Sequence, residues 1–208
     1  MAKGYWISRL DVNDAEGYKP YLQGAIPTIA AFGGRFLAQG GAFETLEGTS
    51  RARNVVVEFK DYETALACFH SPEYQAAYTH RLAHSEGEHL VIEGYEGDQP
   101  AAGVIDGPAQ GPGTAYWVMR IDVHDLETYK SYIAADALAV RKYQGWFLVR
   151  GGRHEAVHGT ARSRNVILAF KDYETALACY HSPEYQEALG FRSKAAVAEV
   201  IAIKGAGQ

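Results

Sequence analysis

Apolar and polar residues alternate over residues 4–12, which is typical of a strand with one buried face. The pattern then changes to large apolar residues at helical spacing, from Tyr18 to Phe32. Asn13-Asp14 offers a cap in front of this helix, and the Gly-Gly pair at 33–34 ends it. The chain is therefore predicted to begin with a strand and a helix.

The same rules assign the elements from residue 35 to residue 92. They predict strands over 35–43, 54–59 and 89–92, and helices that begin at Asp61 and at Ser71. Gly40 and Gly41 fall inside the second strand, where they indicate a bulge. A polar turn over 47–50 separates the second strand from the third. The predicted order is β-α-β-β-α-β.

This whole pattern occurs twice. A shift of 111 residues aligns 5–95 with 116–206 without a gap, and about 43 of the 91 paired positions are identical. A period of this length fits a duplicated small domain and is too long for one solenoid unit. We therefore predict a first repeat over 1–95, a Gly/Pro/Ala-rich linker over 96–113 that is flexible or semi-extended, and a second repeat over 114–208.

The order of elements in each repeat is that of the ferredoxin-like unit, a four-stranded antiparallel sheet with two helices on one face. A central strand that includes Val55, Val56 and Val57 is apolar on both faces, so both faces of the sheet need cover. We predict an α+β fold in which two ferredoxin-like βαββαβ repeats pack sheet-to-sheet as a fused, pseudo-symmetric dimeric α/β barrel.

Composition narrows the class of function. The 208 residues carry a formal net charge of −5, which leaves no basic surplus for a nucleic acid. No apolar run has the length of a membrane span. The two cysteines, Cys68 and Cys179, are equivalent positions of the repeats, and so few cysteines are typical of a reducing cytoplasm. The start of the chain lacks the apolar core of a signal peptide, so we expect a cytoplasmic protein.

Short motifs of the first repeat resemble a known bacterial family. They are Gly4–Ile7, Asp11–Asp14, Gly33–Gly34, Glu47–Gly48, and Ser71–Tyr74 with Arg81. In these motifs each repeat is similar to the domain of unknown function 1330, within the dimeric α/β-barrel superfamily. Relatives there include cofactor-free quinone-forming monooxygenases, haem-degrading monooxygenases and muconolactone isomerase. The resemblance implies a small-molecule pocket between sheet and helices, and it does not imply one particular reaction.

Candidate ligand-binding arginines occur as equivalent pairs. Arg9 and Arg120 lie on the first strand of each repeat, where a guanidinium is costly to bury alone. They could clamp a carboxylate or enolate, or they could form internal ion pairs, for example Arg9 with Glu58. Arg81 and Arg192 lie on the second long helix and are further candidates for holding an anion.

Tyrosines are also paired between the repeats. Tyr18 and Tyr21 match Tyr129 and Tyr132, and all four are predicted on the sheet-facing side of the first helix. Their phenol rings could line a pocket and hydrogen-bond a ligand. The competing interpretation is ordinary core packing with satisfied hydroxyl groups.

Candidate acid–base residues occur at two pairs of equivalent positions, of which one pair differs between the repeats and the other is identical. Glu47 is matched by His158, and both residue types transfer protons, although drift in an exposed turn would produce the same difference. His70 and His181 precede the Ser-Pro cap of a helix in both repeats. They could shuttle a proton, or they could simply place a cation at a helix C-terminus.

A metal site is weakly indicated. His80, His84 and Glu88 are spaced four residues apart on a predicted helix, but the second repeat has Phe191 and Ala195 at the two histidine positions. A solvated polar face fits this difference better. We therefore predict neither a metal nor a cofactor.

Together these features predict a small-molecule enzyme of the dimeric α/β-barrel type. It would use cofactor-independent acid–base chemistry on a small organic acid or aromatic metabolite, as an isomerase, lyase or monooxygenase. Three alternatives remain open: a non-catalytic binding or structural protein, a haem-related monooxygenase, and an enzyme in which only the first repeat is active. The fused pseudo-dimer could also assemble into a larger homo-oligomer.

Overall fold

A computed structural model of the chain describes residues 1–111 and 113–207, which form ten strands and six helices. The first repeat contains β1 (Gly4–Val12), α1 (Ala15–Ala31), β2 (Arg35–Gln39), β3 (Phe43–Glu47), β4 (Arg53–Phe59), α2 (Tyr62–His70), α3 (Pro72–His84) and β5 (Ser85–Glu93). The second contains β6 (Ala115–Val123), α4 (Leu126–Lys142), β7 (Trp146–Arg150), β8 (His154–His158), β9 (Arg164–Phe170), α5 (Tyr173–Tyr180), α6 (Pro183–Ala195) and β10 (Ala196–Lys204). Pro112, in the predicted linker, and Gln208, in the predicted second repeat, lie outside the described residues. None of the described helices combines the length and apolarity that crossing a membrane requires.

Polar caps begin the helices where the sequence predicts them. Asp14 caps α1, and the Asp61 carboxylate accepts a hydrogen bond of 2.7 Å from the backbone N–H of Thr64 at the start of α2. The Ser71 hydroxyl accepts from the backbone N–H of Tyr74 and starts α3. Equivalent caps recur in the second repeat. These caps satisfy N–H groups that have no partner inside the helix.

The strands form two five-stranded antiparallel sheets, in the orders β2-β4-β1-β5-β8 and β3-β10-β6-β9-β7. The chain divides accordingly into two compact units: unit one, residues 1–41, 51–94 and 152–161, and unit two, residues 42–50, 95–151 and 162–208. Each unit consists of four strands from one repeat and a fifth strand from the other. The predicted α+β class with two ferredoxin-like βαββαβ repeats is confirmed, and the exchanged fifth strand is a feature that the sequence did not predict.

The exchange begins at a glycine. The predicted strand over 35–43 is wrong in its length, because β2 ends at Gln39 and β3 begins at Phe43 as a separate strand paired with β10. Gly40 lies between them with φ of +69°, a left-handed conformation that glycine adopts without steric cost. Gly151 has φ of +74° between β7 and β8. The predicted bulge is therefore a break between two strands.

The core of each unit lies on the helix-facing side of its sheet. In unit one Trp6 packs against Phe59 and Tyr74, and its indole N–H donates to the Ala65 carbonyl oxygen at 3.1 Å. Cys68 is fully buried in this core, and burial raises the pKa of its thiol to about 12. It is therefore a small apolar residue of the core with little thiolate character.

Part of the linker is bound to unit two. The Gln99 side chain donates to the carbonyl oxygen of Phe147 and accepts from the N–H of the same residue, both at 2.9 Å. Arg141 donates to the carbonyl oxygens of Pro100 and Ala102. These contacts place the segment around Gln99 along the edge strand β7 and cover part of its free edge.

Candidate functional site

The helix-facing side of the unit one sheet encloses a small cavity against α1. Ser8, Tyr18, Tyr21, Arg81 and His89 line it, and most of the other lining residues are apolar. Its volume is about 30 Å³, room for about two water molecules, so an organic ligand could enter only if lining side chains moved. A few polar groups within an apolar wall are typical of a small-molecule site.

Arg81 brings a buried positive charge to this cavity. The residue is 3% exposed, and its Nη2 donates to the backbone carbonyl oxygen of Glu88 at 3.3 Å. Its Nη1 lies 3.5 Å from the Tyr21 hydroxyl, and the guanidinium packs over the Tyr78 ring. Within residues 1–111 and 113–207, no carboxylate lies within 4.0 Å of Arg81. A buried guanidinium without a counter-charge favours the binding of an anion.

Arg192, the equivalent residue of unit two, has a counter-charge. It is 1% exposed and forms an ion pair with Glu47, whose side chain is 21% exposed. It also donates to the hydroxyl groups of Tyr132 and Tyr185 at 3.0 and 2.9 Å. Strand exchange makes this pair, because Glu47 ends β3 and lies across from Val200 of β10. The two arginines are thus equivalent in sequence and opposite in electrostatic environment.

His158 occupies in unit one the place that Glu47 occupies in unit two. It ends β8 and lies across from His89 of β5, so both imidazoles project from the same face of the sheet. Its ring centre is 6.2 Å from that of Tyr78. Burial and the Arg81 charge lower the pKa of His158, while Glu88 raises it. The imidazole is therefore mainly neutral near pH 7, the form that accepts a proton.

His89 is enclosed by aromatic rings. It is 1% exposed, and its ring centre lies 4.8 Å from Trp6 and 5.2 Å from Phe69. Neither ring nitrogen has a hydrogen-bond partner among the described residues. Burial is the main reason that the pKa of His89 lies well below its usual range, and the nearby Arg81 and His158 lower it further. The histidine is neutral, and both its donor and its acceptor are unused.

The low pKa of His89 predicts an acid-sensitive fold. Below the unfolded pKa of about 6.5, the unfolded chain takes up a proton that the native chain excludes, so stability falls with pH by about 1.4 kcal/mol per unit from this residue. Above about pH 6.5 its effect disappears. In urea unfolding between pH 6.5 and 5, we expect His89→Val to show the shallower loss of stability. Equal pH slopes for the two chains would contradict this assignment.

Each unit contains two of the four candidate tyrosines together with one of the two helix arginines, Arg81 or Arg192. Tyr18 and Tyr21 are buried on the cavity side of unit one, where the Tyr21 and Tyr74 hydroxyl groups lie 2.9 Å apart. Tyr129 and Tyr132 are buried in unit two. The structure therefore brings Tyr18, Tyr21, Arg81 and His158 together in one unit, and Tyr129, Tyr132, Arg192 and Glu47 in the other.

Arg9 and Arg120 lie on the opposite side of their sheets. Side chains alternate along a strand, and the neighbours Ser8 and Leu10 line the helix-side cavity, so Arg9 projects from the other face. Arg120 donates a hydrogen bond of 2.9 Å to the Glu199 carboxylate, which lies directly across from it on the neighbouring strand. Glu88 lies directly across from Arg9 in the same way.

Glu58 is not the residue opposite Arg9, contrary to the ion pair considered from sequence. Register places Glu58 across from Tyr5, whose hydroxyl donates to it at 3.1 Å. Its other partners are Lys3 and Arg35. The pair suggested from the sequence was wrong because the residue pattern predicts which segments form strands but not the register in which those strands pair.

His70 and His181 lie outside both helix-side cavities. His70 is exposed at the end of α2, with its Nε2 3.9 Å from Glu155, and His181 is the exposed C-cap of α5. Of the residues considered for a metal, His84 pairs with Asp14 at 3.3 Å and Glu88 with Arg51. No metal-binding group of three His, Cys, Asp or Glu residues occurs in the described part of the chain.

Unit two contains a further buried carboxylate in the corresponding region. Asp136 takes the place of Ala25 and lies 3.9 Å from Arg150, which takes the place of Gln39. Burial outweighs the nearby Arg150 and Arg192 charges and raises the pKa of Asp136 to about 7. The cavity beside it is only about 10 Å³. Its own charged side chains thus occupy the site region of unit two.

Solved structures identify the fold class. The chain is similar to a Fusobacterium nucleatum protein provisionally named a monooxygenase, at 13% identity and a TM-score of 0.55, over 98% of this chain and 91% of that one. It is similar to a protein provisionally named a chlorite dismutase, at 8% identity and a TM-score of 0.57, over 99% of this chain and 95% of that one. A heme-binding protein from Thermus thermophilus matches at 9% identity and a TM-score of 0.51, over 98% of this chain and 90% of that one. At these identities the comparisons show the fold alone, and they agree with the α+β class of the two repeats.

The family follows from sequence comparison. The chain belongs to the family described as Domain of unknown function (DUF1330), whose model matches residues 3–95 and again residues 114–206. One match per repeat agrees with a tandem duplication. A search of curated proteins found no match.

Proposed function

We propose that unit one binds a small organic anion and catalyses proton transfer on it, with Arg81 as the anchor and His158 as the proton acceptor. The observation that carries this proposal is the difference between two equivalent arginines. Arg192 is paired with Glu47, whereas Arg81 is buried without a carboxylate partner among the described residues. A ligand carboxylate or enolate would supply the missing charge.

The chemistry follows from what surrounds Arg81. A neutral His158 can take a proton from carbon next to a carbonyl group, and the guanidinium can stabilise the negative charge that develops on oxygen. Return of the proton to another carbon gives isomerisation, and loss of a leaving group gives elimination. Reaction of the enolate with dioxygen would give oxygenation. None of these steps requires a tightly bound cofactor.

Two rival functions share the same cavity. A non-catalytic binding protein would use Arg81 in the same way without turnover. A haem-related activity is suggested by the name of one structural neighbour. Unit two, with its charges paired internally, supports a model in which only unit one carries the working site.

The proposal is tested by ligand binding and turnover. Lactones, enol acids, hydroquinones and simple carboxylates are offered to the purified chain, and melting temperature, heat of binding and product formation are measured. We expect carboxylates or enol acids to bind, and Arg81→Lys to weaken that binding by at least about tenfold, because lysine lacks the planar fork of arginine. The matched variant Arg192→Lys should bind within about twofold of the unaltered chain. The conclusion fails if no anion binds or if both variants lose affinity equally.

Two further measurements separate the rivals. Binding without turnover of any compound would support the non-catalytic function. A Soret shift on addition of haemin, abolished by His158→Gln, would support the haem-related one.

A further inference from the structure

Three buried polar side chains near Arg81 have polar atoms with no hydrogen-bond partner in the described part of the chain. The hydroxyl groups of Ser8 and Tyr78 and both ring nitrogens of His89 make no hydrogen bond to any described residue. The three residues are 4%, 4% and 1% exposed. Leaving such groups unsatisfied costs about 1–3 kcal/mol each, so a cluster of them requires an explanation.

Two of these three residues, Ser8 and His89, line the cavity. Ser8 and His89 lie directly across from each other on β1 and β5, so their side chains share the helix-facing side of the sheet, and both line the cavity with Arg81. The Tyr78 ring centre lies 6.0 Å from that of His89 and 5.2 Å from the Arg81 guanidinium carbon. The polar groups of Ser8 and His89 therefore belong to the cavity that Arg81 also lines, and the Tyr78 ring packs near His89 and Arg81.

The fold does not require polar side chains at these three positions. The second repeat has Met119, Leu189 and Val200 in place of Ser8, Tyr78 and His89. Met119 and Val200 are 2% and 0% exposed in unit two, where the same strand pairing forms. Apolar residues thus fill these three positions without adding a polar atom that needs a partner, so the polar atoms of unit one are best explained by a ligand.

We propose that the ligand of unit one is a hydroxy- or oxo-carboxylic acid, with its carboxylate on Arg81 and its second oxygen function against Ser8 and His89. A neutral imidazole has one donor and one acceptor, and a serine hydroxyl has both, so the pair can satisfy either a hydroxyl or a carbonyl oxygen. Most of the remaining wall, which includes Trp6 and Leu10, is apolar and fits an apolar body, and Gln39 and Arg53 add two polar side chains to it. This inference rests on the proposed anion site and adds the substrate class.

Acids that share a carbon skeleton test it. One set is propionate, lactate and pyruvate, and the other is 3-phenylpropionate, 3-phenyllactate and phenylpyruvate; calorimetry gives each dissociation constant. We expect the hydroxy or oxo acid of at least one set to bind the unaltered chain about tenfold more tightly than its unsubstituted parent. In His89→Val and Ser8→Ala, this ratio should fall below about twofold while the parent acid keeps its affinity. Both substitutions remove the polar atoms without adding bulk to the cavity wall, and circular dichroism checks that each variant folds.

The outcomes separate the two proposals. If all acids of a set bind alike and Arg81→Lys weakens them all, the anion site stands and the substrate class is overturned. The substrate class is also overturned if the preference survives in both cavity variants. Failure of every acid to bind overturns the anion site and this inference with it.

Discussion

His158→Glu is expected to abolish anion binding in unit one and to make the chain more stable. Glu47 reaches Arg192 from the equivalent strand position, so a glutamate at 158 should reach Arg81. An intramolecular carboxylate would then compete with any ligand anion at an effectively saturating concentration. We expect at least about a hundredfold loss of affinity and a gain of about 1–2 kcal/mol in unfolding free energy, since a charge-assisted hydrogen bond forms at a partly exposed position.

His158→Gln is the matched control, because it removes the imidazole without adding a charge. It should keep anion affinity within a few-fold and lose turnover by about a hundredfold or more, the usual contribution of a general base. Calorimetry with the best-binding acid and single-turnover kinetics separate the two effects. Undiminished affinity in His158→Glu would contradict the role of Arg81 as the anion anchor.

The local structure was largely predictable because it depends on short-range chemistry. Asp14, Asp61 and Ser71 cap helices where their side chains predict it, and the repeat was visible in residue identity alone. What could not be predicted was the exchange of β3 and β8. Gly40 appears in the sequence as a bulge, and only its left-handed φ together with the new strand pairing shows that the chain changes sheets there.

This exchange also explains which parts of the site were predictable. The difference between Glu47 and His158 was evident from the alignment of the repeats, but reasoning within one repeat would place Glu47 beside Arg81. The exchanged strand pairs it with Arg192 instead. Long-range strand pairing of this kind is set by register and turn geometry, which the residue pattern of a single strand does not contain.

His89 was missed although a signal existed. It belongs to no motif, and a histidine on a strand is more often a core residue than a functional one. The signal is the set of three positions, Ser8, Tyr78 and His89, at which the first repeat is polar and the second is apolar. Only the structure shows that these positions are neighbours. Arg9, in contrast, was a reasonable candidate whose location follows from the alternation that places Trp6 and Leu10 toward the helices.

Of the substitutions considered for either unit, Glu47→Gln is expected to lower the free energy of unfolding the most. It leaves the Arg192 guanidinium, 1% exposed, with two tyrosine hydroxyl groups and no carboxylate. Breaking a buried pair on one side costs about 3–5 kcal/mol, and we expect about 3 kcal/mol because Glu47 is one-fifth exposed. For a chain of this length that corresponds to a fall of about 6–12 °C in melting temperature.

An added carboxylate provides a second, independent readout for Glu47→Gln. Without Glu47, Arg192 becomes a buried guanidinium of the same kind as Arg81, so acetate or formate should bind and recover part of the lost stability. The same salt should have a smaller effect on a variant whose Arg192 keeps its partner, such as His158→Gln, which we expect to change stability by no more than about 0.5 kcal/mol. Equal destabilisation by Glu47→Gln and His158→Gln, or no rescue by carboxylate, would show that the two arginines do not differ in their need for a counter-charge. Unequal losses with rescue would instead support two divergent units, one closed by its own glutamate and one left open to a ligand.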